Sequence, residues 1–330
     1  MNLLQKKLLS QSPILLAMTG VLIIFALLPF FIPRWSIFLL TVAWAKAILV
    51  LGIVFLLWGG LVSFGHGLYF AAGAYAAGFG VRVLGIHEGL VLVALGIAAG
   101  GGLACLVGLL LARYRGIFFA LLNMAFSMVL YAILLKFYRV TGGTDGISIS
   151  PPTLAGFMPP PEALRLVHYY FTLGLGILSL YGAHRFSVSP LGYTLKAIRN
   201  NEVRVEYMGA SVRKAIYITY ILSGILGGLS GVLTAFAIGH VVPEYSYWTQ
   251  SAEFVFVAIL GGTGSTFAPL AGSIVFEFVR NYAFKLSPYT WQLSLGTVLL
   301  LIILFLPGGL WSLSKPFSRR WTKWTLHSNR

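Results

Sequence analysis

Eight of the chain's charged residues fall between Arg185 and Lys214, although Asp, Glu, Lys and Arg make up only 9% of the whole. The core of this stretch is Ser189-Pro190-Leu191-Gly192-Tyr193-Thr194-Leu195-Lys196-Ala197-Ile198-Arg199-Asn200-Asn201-Glu202, and long apolar runs lie on both sides. The chemistry it offers is recognition. Charged side chains beside an apolar edge make a docking surface for a soluble partner. Ser189 is a good N-cap and Pro190 suits the first helical position. Leu191, Leu195 and Ile198 fall at i, i+4, i+7 and form one stripe. Gly209 is a stop signal. The expectation is one helix over 189–209, parallel to the membrane, whose edge residues Leu195 and Ile198 insert into a partner. Arg199 and Glu202, one i,i+3 step apart, flank that edge and either pair or contact the partner.

Ionisable residues inside apolar spans are costly and carry a functional default. Lys46, Glu253 and Glu277 are the candidates. Glu253, after Gln250-Ser251-Ala252, either lines a polar path or pairs with a basic neighbour. Glu277 is expected to pair with Arg280 within one helix. Lys46 either snorkels or meets a carboxylate on another helix. His66 reads as a hydrogen-bonded turn residue, and Asp145 as either an Asx-turn or part of an outer docking site or gate. No covalent chemistry is indicated. The six histidines have no paired metal-ligand spacing, and no Ser, His and Asp set suggests a nucleophile. Gly261-Gly262-Thr263-Gly264-Ser265-Thr266 lacks the lysine of a phosphate loop, and no Walker A motif occurs anywhere.

These residues must be positioned by membrane helices. The chain has 330 residues, is 58% hydrophobic and has a mean hydropathy of +0.88. A soluble protein of this size does not cover that much apolar surface, so the chain is a polytopic membrane protein. Its net charge of +15 is not a nucleic-acid signal, because the basic residues sit at span ends. Apolar spans are read at about 14–32, 36–57, 63–84, 89–112, 117–138, 166–184, 214–238, 248–262, 267–286 and 289–306, roughly ten crossings in a single domain over 1–330; of these, 248–262 is short and Gly-rich at its end, and reads as a span, a re-entrant segment or a half-helix. The first is long enough to span and has no cleavage site after it, so it is expected to be retained. Cys105, the only cysteine, lies in an apolar run and reads as packing.

With the N-terminus inside, fifteen basic residues are cytoplasmic, among them Lys6, Lys7, Arg113, Arg115, the 185–214 group and the tail over 312–330. Seven lie toward the outside, the bias of the positive-inside rule. Both termini are then cytoplasmic, the 139–165 loop is outside and the 185–214 loop inside. Two Gly-rich breaks, Gly59 to Gly67 and Gly261 to Ser265, share Gly-Gly-x-x-Ser. They are either broken helices around a translocation path, which would include Gly65, His66, Gly261, Gly262, Gly264 and Ser265, or turns between helices.

Several motifs together resemble one family. These are Ser63-Phe64-Gly65-His66-Gly67-Leu68-Tyr69-Phe70 with Ala71-Ala72-Gly73-Ala74-Tyr75, Arg115-Gly116-Ile117-Phe118-Phe119-Ala120, and Thr141-Gly142-Gly143-Thr144-Asp145-Gly146. Ser189-Pro190-Leu191-Gly192 leading to Ala197-Ile198-Arg199-Asn200-Asn201-Glu202, Val257 to Ser265, and Pro307-Gly308-Gly309-Leu310 complete the set. The chain resembles the inner-membrane permease subunits of branched-chain amino acid ABC importers, the LivM type, over residues 35 to 312. The resemblance implies an all-α, type II-importer-like permease in a bacterial or archaeal inner membrane. It implies a heterodimer with a second, homologous permease, two cytosolic ATPases and a periplasmic or extracellular solute-binding protein. ATP and Mg would be used by the ATPases, with no cofactor bound by this chain and no nucleic-acid partner. The charged inner loop would be the ATPase-coupling segment. Permeases for urea and aromatic acids are closely similar. A stand-alone channel or secondary carrier is the rival of a different class. Lys46 departs from the pattern, standing where an uncharged residue is expected.

Overall fold

The computed structural model describes residues 19–154, 156–306 and 308–314. Lys6, Lys7, Pro307, the start of the first span and the basic tail from Lys315 lie outside the described residues. Eleven helices are labelled here: α1 (Arg34–Trp58), α2 (His66–Arg82), α3 (Gly89–Leu111), α4 (Gly116–Lys136), α5 (Leu164–Ser187), α6 (Pro190–Asn200), α7 (Glu202–Tyr207), α8 (Val212–Ile238), α9 (Trp248–Gly261), α10 (Ala268–Leu286) and α11 (Trp291–Phe305). A further helical segment, Thr19–Phe30, precedes α1. The all-α expectation holds except for one antiparallel pair, β1 (Ile147–Ser148) with β2 (His240–Val241), in register Ile147 to Val241.

Among the described residues, five helices are long and apolar enough to cross a membrane: α1, α3, α4, α5 and α8. The others are shorter or less apolar. α9, with 14 residues, is ~21 Å long, below the ~30 Å of a hydrocarbon core. The expected short span at 248–262 is therefore a half-length helix.

α1 is the axis of the bundle. Apart from Lys46 and a few hydroxyl residues it is apolar around its circumference, as a helix packed on every side must be, and nearly all of it is buried. It packs against α5, α8, α9 and α10. On its far side α8 also packs against α2 and α3, and there the sequence supplies glycines instead of side chains. A Cβ at Gly73 would stand 2.1 Å from the Gly228 carbonyl oxygen, one at Gly228 2.2 Å from that of Gly96, and one at Gly100 2.5 Å from that of Gly224. These backbones touch, the arrangement small residues permit between membrane helices.

The two ends of the bundle are distinct. One end carries α6, α7, the Gly59-Gly60 turn, Arg115 and the 262–266 turn. Leu195 sits over Gly59 and Arg199 over Gly60, Arg115 pairs with Glu202 at 2.9 Å, and the Trp58 indole N–H donates to the Thr263 carbonyl at 3.0 Å. The other end carries the β1–β2 pair, the bridge of Glu88 with Thr153, and the starts of α1 and α5.

Candidate functional site

The charged segment folds as two helices, not one. Ser189 caps α6, its Oγ accepting the Gly192 N–H at 3.2 Å, with Pro190 in the first turn. Asn201 then interrupts the helix with extended backbone and caps α7 through the Arg204 N–H at 2.9 Å. An Asx side chain offers its backbone that alternative to continuing the helix. Gly209, at φ +85°, follows α7 as the stop.

The apolar stripe faces inward. Leu195 is fully buried and Ile198 nearly so, which corrects the expectation that they insert into a partner. They hold α6 against the bundle, because the turn at Gly59 has no side chain in the way. Arg199 and Glu202 do not pair either. Glu202 is held by Arg115 from the α3–α4 turn. Lys196 reaches back to the Ser187 carbonyl at 3.2 Å and lies over the Trp58 ring, 5.2 Å from its centroid. The outward surface consists instead of Tyr193, Arg199, Val203, Tyr207 and Met208; Tyr207 is 88% and Met208 80% exposed. They put an aromatic and a thioether clear of a charged platform, residue types enriched at protein interfaces.

A second polar constellation lies inside the bundle. From Gly60 the chain runs inward without helix until His66 opens α2. His66 is fully buried. Its Nδ1 bonds Ser63 Oγ at 2.9 Å and its Nε2 bonds Ser223 Oγ of α8 at 2.5 Å. It is hydrogen-bonded, as expected, but it stands at the first position of a helix and not in a turn. Gly65 presses on α4, where a Cβ would stand 2.3 Å from the Asn123 carbonyl oxygen. The Gly67 N–H donates to Ser251 Oγ in the first turn of α9, at 2.9 Å. Ser127 on α4 donates to the carbonyl of fully buried Ser246, at 2.7 Å. The turn before α9 therefore folds back into the bundle, and α2 and α9 begin side by side within it. Irregular backbone at such depth requires internal partners, and these serines supply them. Tyr69 donates to Tyr220 Oη at 2.6 Å, and Tyr220 donates to the Asn123 side-chain carbonyl.

The remaining expected residues do not converge on this constellation. Gly261 ends α9, and Gly262, Gly264 and Ser265 form the turn after it at the α6 end, where Gly262, at φ +91°, packs against the Gly308 carbonyl. The two Gly-Gly-x-x-Ser breaks thus differ: one enters the bundle and the other stays at its end. Asp145 is exposed at the opposite end and accepts the Tyr138 hydroxyl at 3.0 Å, which holds the Tyr138 phenol above its usual titration range. Glu253 is bound by Gln250 at 3.1 Å and Arg280 at 3.4 Å, the paired alternative. Glu277 does not pair with Arg280, as expected, but with Lys46 of α1, at 2.6 Å and with both side chains 7% exposed. α10 presents Glu277 to the axis helix, and desolvation leaves Lys46 as its necessary partner.

Sequence reasoning missed Asn123, Ser127, Tyr220, Ser223, Ser246 and Ser251. Their only signal was polar spacing within apolar runs, Asn123 to Ser127 at i+4 and Tyr220 to Ser223 at i+3.

The family described as branched-chain amino acid transport system / permease component matches residues 36–306. The high-affinity branched-chain amino acid transport system permease protein LivM of Escherichia coli K12 is 28% identical over 325 residues, covering 91% of this chain and 76% of the relative. Its counterpart from Salmonella typhimurium LT2 is 29% identical over 327 residues, with the same coverage. The ribose import permease protein RbsC of Haemophilus influenzae Rd is 23% identical over 175 residues, 49% of this chain and 53% of that one. No solved structure matches.

Proposed function

Because this chain belongs to the branched-chain amino acid transport system permease component family, we propose that it is the translocation subunit of an ATP-driven importer of branched-chain or related hydrophobic amino acids. The family match over residues 36–306 carries this reading. In it, a second homologous permease completes the pore, one of two cytosolic ATPases docks on the α6–α7 platform, and a solute-binding protein delivers substrate at the end that carries Asp145. ATP and Mg act in the ATPases. The platform is cytoplasmic, both chain termini lie on the same side, and the shorter helices complete about ten passes of a type II-importer-like fold. Seated by Leu195 and Ile198, α6 passes ATPase movement into the bundle, and the inward segment ending at His66 lies within its reach.

The test is reconstitution. Proteoliposomes holding this chain, the second permease, the ATPases and the binding protein should take up labelled leucine only with ATP inside the ATPase compartment. The chain alone should take up none. ATP-independent uptake by the chain alone would make it a carrier and end the importer reading.

Sidedness has its own test. In a Cys105→Ala background, Asn200→Cys and Ser148→Cys place thiols on exposed residues at opposite ends of the bundle. An impermeant thiol reagent applied to intact cells should label Ser148→Cys and spare Asn200→Cys until the cells are opened. Labelling of both from outside would reject the orientation.

A further inference from the structure

The turn before α9 carries one more carboxylate, and hydrogen bonds fix its depth. Ser246 accepts from Ser127, which stands at the middle of α4, a helix of 21 residues that is long and apolar enough to cross a membrane. Beside Ser246, the Tyr245 carbonyl lies against Gly67, where a Cβ would stand 2.8 Å away. Glu244 is two residues from Ser246, so its Cα is within ~7 Å of that level. This is well inside the ~15 Å half-thickness of a hydrocarbon core. The Glu244 side chain is nonetheless exposed. Among the described residues it forms no ion pair or hydrogen bond, whereas Glu202, Glu253 and Glu277 are all paired and Arg280 is taken by Glu253. A carboxylate at this depth does not face lipid; it faces water or a partner group.

The neighbours of Glu244 favour water. Thr249, in the first turn of α9, is also exposed and Gln250 is half-buried, and the Gly67–Ser251 bond ties that turn to the same level. Tyr75 of α2 and Tyr131 of α4 lie within electrostatic reach of the carboxylate. The Tyr75 hydroxyl is buried and has no hydrogen-bond partner among the described residues. Tyr131 packs on Tyr247, with ring centroids 4.9 Å apart. An acid flanked by aromatic rings, with a spare phenol oxygen nearby, suits a cation that donates hydrogen bonds, and a primary ammonium has three donors. We propose that this face lines the translocation path and that Glu244 takes the ammonium group of the passing amino acid, with the Tyr131 and Tyr247 rings beside it. The identity of the substrate rests on the importer reading; the location of the path rests on Glu244 and Thr249 alone.

The test uses this chain in complex with the second permease and the ATPases, in opened membranes without a binding protein. In a Cys105→Ala background, Thr249→Cys should react with a charged methanethiosulfonate about 10-fold or more faster than Leu178→Cys, since a thiol in apolar surroundings stays protonated. Leu178 is the control because it is exposed near the middle of α5. Leucine should shield Thr249→Cys, and so should isopentylamine, which keeps the ammonium. The α-keto acid of leucine, which keeps the side chain and carboxylate but lacks the ammonium, should not. Adding Glu244→Gln should raise the leucine concentration for half-shielding about 10-fold or more, since a hydrogen bond to a charged group is lost. It should leave the melting temperature and the unshielded labelling rate unchanged. Equal rates for Thr249→Cys and Leu178→Cys would overturn the proposal. So would fast labelling only when the second permease is left out, which would mean that a basic residue of that subunit covers Glu244. Shielding that survives Glu244→Gln, or equal shielding by the keto acid, would overturn the ammonium role. None of these measurements needs uptake, so the importer reading stands or falls separately, by reconstitution.

Discussion

Glu277→Leu is expected to destabilise the permease by about 3–5 kcal/mol, because it strands the Lys46 ammonium inside the bundle. Lys46→Met should cost about the same for the mirror-image reason. The paired variant Lys46→Met/Glu277→Leu should recover most of that loss, to within about 1 kcal/mol of the parent or better, since apolar replacements of a buried ion pair are often neutral or stabilising. Thermal unfolding of the purified chain in detergent reads all three. The reasoning rests on a 2.6 Å contact between two nearly buried side chains 231 positions apart in the chain, with no water-filled surface to receive an orphaned charge. Single variants as stable as the parent would mean that the pair is solvated or exchanges partners. A double variant no better than the singles would mean that packing, not charge, was lost.

The second large effect is expected at the platform. Tyr207→Ser/Met208→Ser should reduce capture of the ATPase subunit by about 30-fold or more, since losing even one interface anchor typically costs ~2 kcal/mol. Permease stability should not change, because both side chains project away from the bundle. Ile198→Asp should also uncouple the complex, for a different reason: a carboxylate in the seat beneath α6 displaces the helix, so lower permease stability should accompany lost coupling. Arg199→Ala, at the exposed rim, should have the mildest effect. The measurement is pull-down of the ATPase with the melting temperature of each variant alongside. Normal capture by the Tyr207/Met208 variant would move the docking surface elsewhere.

The sequence and structure agree where the signal is local. A serine cap followed by proline fixes the start of α6 from two adjacent residues. The 14-residue helix at α9 is visible as an apolar run too short to span. The orientation of the Leu195–Ile198 stripe was not legible, because an apolar edge has the same spacing whether it seats on its own bundle or on a partner. The break at Asn201 was masked by the helical period on either side, and only the cap geometry distinguishes it. Pairing was the least legible feature. Glu277 had a basic residue one turn away, yet the helix turns that arginine toward Glu253 and turns Glu277 toward Lys46. An i,i+3 rule describes isolated helices, and here tertiary placement decides. The serine and tyrosine constellation around His66 was missed because hydroxyl groups in apolar runs are compatible with lipid-facing and core positions alike.

The bare backbone contacts among α2, α3 and α8 have a mechanical consequence. Helices joined by long side chains can slide, since rotamers absorb the displacement. Here the carbonyls of Gly96, Gly224 and Gly228 lie where even a methyl group has no room. Sliding α8 by one turn, ~5.4 Å along its axis, would bring Val232 to the place of Gly228 and drive its β-carbon into opposing main chain. The three helices therefore form a single gear block that can tilt but cannot shear. Whatever strokes accompany a transport cycle must be taken up at its borders, where side chains rather than main chains meet.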